Sequence, residues 1–182
     1  MVSAHTGSGA AETIECLEAG AVDTVLKPSG ELSLDIDDIK NEILRKVHMV
    51  SEAHVMSFKP IVQRMERSRP PNKNAPGKLL VIGSSTGGPP VVEYILSRLP
   101  KNLNMGVIVV QHMPKYFTAS FSERLKEICL IDIKEASDGD QVTTGRILVA
   151  PGDSDMSVVS LKHIDASKHI VKLVDSADRK GA

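Results

Sequence analysis

The chain lacks several features that would commit it to a membrane, a secretory route or a metal-built fold. Its 182 residues contain no apolar segment long enough to span a bilayer and no opening apolar run of signal-peptide type. There are only two cysteines, Cys16 and Cys129. They lie far apart without metal-ligand spacing, each inside a predicted amphipathic helix, so they read as small apolar fillers and not as a disulfide framework. Neither sign of charge is in excess, since 22 basic and 23 acidic residues leave a formal net charge of −1. Nothing in that balance calls for nucleic acid or an anionic lipid surface. These absences point to the cytoplasm, with no membrane insertion and no nucleic-acid partner.

What is present is enough apolar material, 41% of the residues, for one or two small domains. The most informative stretch is KLLVIGSSTGG, Lys78 to Gly88. Four consecutive apolar residues running into small ones read as a buried strand that ends in an exposed turn. Pro89 and Pro90 then suit the first turn of a helix, whose N–H groups have no intrahelical acceptor, and Val91, Val92, Ile95, Leu96 and Leu99 recur at helical spacing. Within the turn, Gly83, Ser85 and Gly87 satisfy G-x-S-x-G, in which glycines relieve crowding so that a serine hydroxyl stands exposed at the strand's carboxyl end. Ser85 is thus a candidate nucleophile.

Two other readings of the loop stand beside this one. A glycine-rich turn before a helix can cradle phosphate on its free N–H groups, which would make a nucleotide-binding α/β domain. A dinucleotide site also wants an acidic residue at the end of the next strand, yet that strand, Gly106 to Val110, ends in Gln111 and His112, and no carboxylate occurs between Glu93 and Glu123. The other reading is a turn of small residues built for packing. The second strand favours the nucleophile. In a parallel sheet the carboxyl ends of neighbouring strands share one edge, so His112 should emerge beside Ser85, where an imidazole can take the hydroxyl's proton.

Five segments, GSSTGGP (83–89), VVQHMP (109–114), FTASFSERL (117–125), EASDGD (135–140) and LVAPGD (148–153), together resemble the chemotaxis response-regulator protein-glutamate methylesterases in order and spacing. The likeness runs from Lys78 to about Val174. It implies an enzyme that hydrolyses glutamate methyl esters on methyl-accepting chemoreceptors and deamidates certain glutamines there, with a chemotaxis histidine kinase as a further partner in the intact family. It also implies Ser85 as nucleophile and His112 as general base. Thr86, Gly87 and Gly88 form the active-site loop, in which the Thr86 N–H, at the helix start, is the natural oxyanion donor. No metal or other cofactor is required.

The first fifty-odd residues read as the last part of another α/β unit: a strand end at Met1 to Thr6, a short helix from Ala10 to Ala19, a strand from Val22 to Leu26, and an amphipathic helix from Asp35 to Val47 presenting Ile36, Ile39, Ile43 and Val47. This resembles the end of a phosphoacceptor receiver, with Ser3 at its hydroxyl switch position and Lys27 at the position that contacts the phosphoryl group. Thr24 stands where receivers often carry an aromatic residue. The magnesium-binding acids and the phosphorylated aspartate that precede this part in a receiver are missing from the sequence. A stretch with Arg64, Arg67, Arg69 and Lys73 among Pro60, Pro70, Pro71 and Pro76 reads as a basic linker. The expected organisation is a receiver remnant over 1–56, a linker over 57–77, and the N-terminal part of a methylesterase domain over 78–182, an α/β fold with a doubly wound, mainly parallel sheet.

Beyond His112, Thr118 and Ser120 are possible N-caps, with Ser120 and Glu123 fitting a capping box, and Phe121, Leu125 and Ile128 form a buried helix face. Strands are expected at Ile131 to Glu135 and Arg146 to Val149, and a hairpin from Met156 to Leu161 with His169 to Val174. His163 and His169 read as exposed and non-catalytic. Spacing alone offers Asp155 as the carboxylate that would orient His112, with Asp153, Asp138 and Asp140 as the other nearby acids. The resemblance instead places that aspartate in a glycine-rich motif beyond Ala182, and Asp155 stands where many relatives have histidine. A shortened, non-catalytic receptor-binding or regulatory module is therefore the second functional reading.

Overall fold

The computed structural model describes residues 2–3, 13–17, 19–26, 36–52, 78–161 and 165–175. The linker expectation over 57–77, Lys27 and His163 lie outside them. Four strands form one parallel sheet: β3 (Lys78–Ser84), β4 (Met105–Gln111), β5 (Asp132–Glu135) and β6 (Arg146–Val149), in the order β3-β4-β6-β5. β7 (Ser154–Leu161) and β8 (Asp165–Asp175) form an antiparallel pair. Near the N-terminus, β1 (Val2–Ser3) pairs in parallel with β2 (Val25–Leu26). The helices are α1 (residues 13–17), α2 (Ile36–Glu52), α3 (Gly88–Leu96) and α4 (Lys115–Ile128).

Alternation along the central strands builds two cores. Val107, Val109, Ile147, Val149 and Ile133 face one side, where Val92 and Leu96 of α3 and Phe117, Phe121 and Leu125 of α4 cover them. Leu148 points the other way, onto Val171 of β8 and Ala136. β4 and β6 therefore bury both faces, as central parallel strands do. Phe121 and Leu125 are fully buried, and cutting Phe121 back to alanine would cost about 3–5 kcal/mol in transfer and cavity terms together. Ile14 and Leu17 of α1 join the same core, so the N-terminal unit shares apolar packing with the sheet domain.

Three expectations need correction. The run LLVI in β3 is not a buried strand: Leu80 and Ile82 are half-buried against the core, Leu79 and Val81 are 42% and 58% exposed, and among the described residues β3 pairs with β4 alone. The apolar face expected of α2 is likewise open at Val47, which is 60% exposed. The capping box at Ser120 and Glu123 does not form: α4 begins five residues earlier, at Lys115, with Pro114 in extended geometry (φ −58, ψ 145) as its N-cap. Proline needs no intrahelical acceptor for its nitrogen, so it starts a helix without a side-chain cap. Ser120 thus falls inside the helix, Glu123 pairs with Lys126, and the Thr118 hydroxyl bonds Glu135 at 2.6 Å instead of capping.

Candidate active site

The β3–β4 register runs without a shift from Lys78↔Met105 to Ser84↔Gln111. Because the strands are parallel, the next residues on each, Ser85 and His112, leave the sheet at the same edge. The ladder extends one step further, the His112 N–H donating to the Ser84 carbonyl at 2.8 Å. Ser85 Oγ then lies 3.3 Å from His112 Nδ1, and both residues are exposed. For the hydroxyl to donate to Nδ1, the ring proton must sit on Nε2.

The turn is shaped by Gly87 and Gly88. Gly87 adopts φ 72, the left-handed region that favours glycine, and serves as the N-cap of α3. A Cβ on Gly88 would overlap Gln111 Oε1 and come within 2.8 Å of Ser84 Cβ, so this position relieves crowding. Gly83 does not: nothing lies within 4 Å of where its Cβ would be. The crowding argument from G-x-S-x-G therefore belongs to a glycine outside that motif.

Two of the loop's N–H groups are committed: Gly87 donates to the Val22 carbonyl at 3.0 Å and Gly88 to the Ser85 carbonyl at 2.7 Å, so part of the cradle that a bound phosphate would need is occupied from within the chain. Among the described residues nothing accepts the Thr86 N–H. The Thr86 hydroxyl donates to Asp23 Oδ2 at 2.6 Å, and Lys46 Nζ lies 3.3 Å from the other oxygen of Asp23. Segment 22–24 and α2 thereby lie against the loop. A cleft of about 390 Å³ continues past His112, between Glu42 and Lys46 on one side and Pro151 to Ser154 on the other.

The remaining acids lie elsewhere. Asp153 adopts φ 57 and accepts from the Lys115 N–H at 3.4 Å, while Asp155 lies in β7 opposite Val174. Among the described residues no carboxylate hydrogen-bonds to His112, nor does any group of three acids, histidines or cysteines gather as for a metal. Ser3 pairs with Leu26 in the β1–β2 ladder, and His169 is exposed on β8. The sequence reading passed over Gln111 and Asp23. A glutamine closing an apolar strand was the only signal for the first, and the contact of Asp23 with Thr86 spans 63 residues, beyond any local pattern.

A parallel α/β sheet carrying a hydroxyl–imidazole pair at its carboxyl edge is an arrangement suited to acyl transfer. Comparison with known proteins gives the family: residues 80–180 match the CheB methylesterase family model, and the chain belongs to that family. It is 43% identical over 159 residues to a protein-glutamate methylesterase/protein-glutamine glutaminase 2 of Carboxydothermus hydrogenoformans, covering 84% of this chain and 45% of the relative. The corresponding protein of Thermotoga maritima is 44% identical over 155 residues, covering 84% and 44%. The crystal structure of the Thermotoga maritima CheB methylesterase catalytic domain superposes with a TM-score of 0.51 at 40% identity, over 58% of this chain and 53% of that one. The chain thus spans about half the length of the curated relatives it matches.

Proposed function

We propose that this chain carries the nucleophile half of a protein-glutamate methylesterase and protein-glutamine deamidase that acts on methyl-accepting chemoreceptors in the cytoplasm, with a chemotaxis histidine kinase as its signalling partner. The observation that carries the reading is the Ser85 Oγ to His112 Nδ1 approach of 3.3 Å within the family-matched region. Ser85 attacks the ester carbonyl and His112 accepts its proton, then returns one to the departing methanol. The Thr86 N–H stabilises the oxyanion, since the N–H groups of Gly87 and Gly88 are taken. Water then resolves the acyl-enzyme. An orienting carboxylate for His112 comes from the portion of the relatives that this chain does not span. The N-terminal unit, through Ser3 and Lys27, is the end of a receiver.

Methanol release from methylated receptor tests the reading, using the chain extended through the rest of the family's length. Ser85→Ala should abolish release and His112→Gln should lower it by about 10²–10⁴-fold. Ser84→Ala should keep most of it, and His169→Gln, on the exposed face of β8, should leave it unchanged. Equal loss from Ser84→Ala and Ser85→Ala, or an intact rate in His112→Gln, would remove the assignment.

A further inference from the structure

Gln111 is the last residue of β4 and only 5% exposed, an unusual place for an amide that neither contacts solvent nor pairs with a charge. Its side chain is fully used. Nε2 donates to the Ser85 carbonyl at 3.0 Å and to the His112 carbonyl at 3.2 Å, and Oε1 accepts the Ser84 hydroxyl at 2.5 Å. The two carbonyl acceptors fix which end of the amide is nitrogen. Space for Oε1 exists because Gly88 has no Cβ.

We propose that Gln111 is a positioning residue, a buried amide clamp that ties the backbone of Ser85 to the backbone of His112 and so sets the distance between hydroxyl and imidazole. This rests on the assignment of Ser85 and His112 given above. Beyond Ser84 and Gln111 the sheet ladder has a single remaining bond, from the His112 N–H; the Ser85 carbonyl also accepts the Gly88 N–H at 2.7 Å, within its own turn, so among the described residues Gln111 Nε2 is the one donor that ties that carbonyl to the end of β4. A donor with two N–H groups, set between the two chain ends, meets that need. Leucine, valine or glutamate offers no N–H there. Each carbonyl it holds is one bond from the Cα that carries a reacting side chain, so losing the clamp misaligns both groups together, and small misplacements of reacting groups cost on the order of 10²-fold in rate.

The test uses the 182-residue chain and an alkyl fluorophosphonate. Ser85 Oγ bonds to phosphorus, fluoride leaves, and the hydroxyl proton passes to His112; intact mass follows the adduct and thermal melting follows folding. The wild-type chain should be labelled at Ser85 and His112→Gln should be labelled far more slowly. Gln111→Met, which keeps the shape and loses the amide, should lower the limiting labelling rate by about 10–100-fold at unchanged half-saturating reagent concentration. In the His112→Gln background the same change should cost less than about 3-fold, because the clamp acts through the pair. Should Gln111→Met fail to fold, Gln111→Glu carries the same test, keeping the acceptor for Ser84 but no N–H. Full multiplicativity of the two losses, a wild-type rate in the Gln111 variant, or unfolding of both Gln111 variants would make Gln111 a core residue only and overturn the proposal. Absence of labelling in the wild type, or labelling independent of His112, would instead overturn the assignment of the pair, and the clamp with it.

Discussion

At Gly88 and Gln111 one residue lacks a Cβ where the other buries an amide between two strand ends, and on the proposed reading atoms that never react thereby set the distance from Ser85 to His112. Ser85 and His112 were legible as candidates because their residue types and their place after apolar runs carry the signal. Gln111 was not, since a buried glutamine and a surface one are identical in sequence. Cys129 is another case in which surroundings decide chemistry. It closes α4 as its C-cap and is not inside the helix as expected, and burial, followed by the nearby Glu93 charge, pushes its thiol from 9.0 up to about 12. At pH 8 its thiolate should be roughly 10³-fold scarcer than that of an ordinary cysteine, and alkylation slower to match. A folded pKa above the unfolded one contributes stability that is complete below pH 9 and lost as pH rises toward 12. Peptide mapping after iodoacetamide treatment at pH 8 should find Cys129 unmodified in the native chain and modified once it is unfolded. Modification at the rate of a free cysteine peptide would contradict its half-buried placement against the core.

Among the elements, the parallel strands were the most legible, because uninterrupted apolar runs bounded by glycine or proline have few other uses in a short α/β chain. The hairpin was expected in the right place, although β7 begins two residues earlier than expected, at Ser154, and β8 four residues earlier, at Asp165. The start of α4 was misplaced because the capping-box pattern at Ser120 competed with a proline start that leaves no side-chain signature. Asp138 and Asp140 stand out in the sequence as acids near the site, but the structure places them in the turn after β5 and gives them another task. In the structure the Asp138 carboxylate accepts from the Leu173 N–H at 2.9 Å and from Lys172, which hold it below its ordinary value. At Asp140 burial works against the charge, yet the Ser137 N–H and Lys134 outweigh it and the net shift is also downward. Carboxylates lowered in the folded state contribute stability above the unfolded pKa of about 4, which disappears as pH falls through the folded values. Thermal melts should therefore drop more steeply for the wild-type chain than for Asp138→Asn/Asp140→Asn between pH 5 and pH 2. Parallel curves for the two proteins would show that the turn does not anchor β8 through charge.

For the molecule as a whole, the α/β class and the methylesterase family were readable from five spaced segments, whereas the sharing of one core between Ile14, Leu17 and the sheet was not, because such contacts join residues some hundred positions apart. The open edge of β3 bears on behaviour in solution. Among the described residues β3 pairs with β4 alone; its Leu79 and Val81 are exposed, and the adjacent β4 residue Val110 is 44% exposed. Such an edge pairs readily with another chain. The 182-residue chain should self-associate in sedimentation at rising concentration, and a version extended through the rest of the family's length should do so less; a strictly monomeric short chain would contradict this. The most direct measurement of the central claim, that Ser85 forms an acyl-enzyme with help from His112, is rapid acid quenching with a glutamate-methyl-ester receptor peptide followed by intact and peptide-level mass spectrometry of the extended chain. The account predicts an adduct equal to the peptide less methanol, located on Ser85, absent in Ser85→Ala and forming more slowly in His112→Gln. Methanol release accompanied by an adduct on a different residue, or by an unchanged adduct in Ser85→Ala, would contradict it.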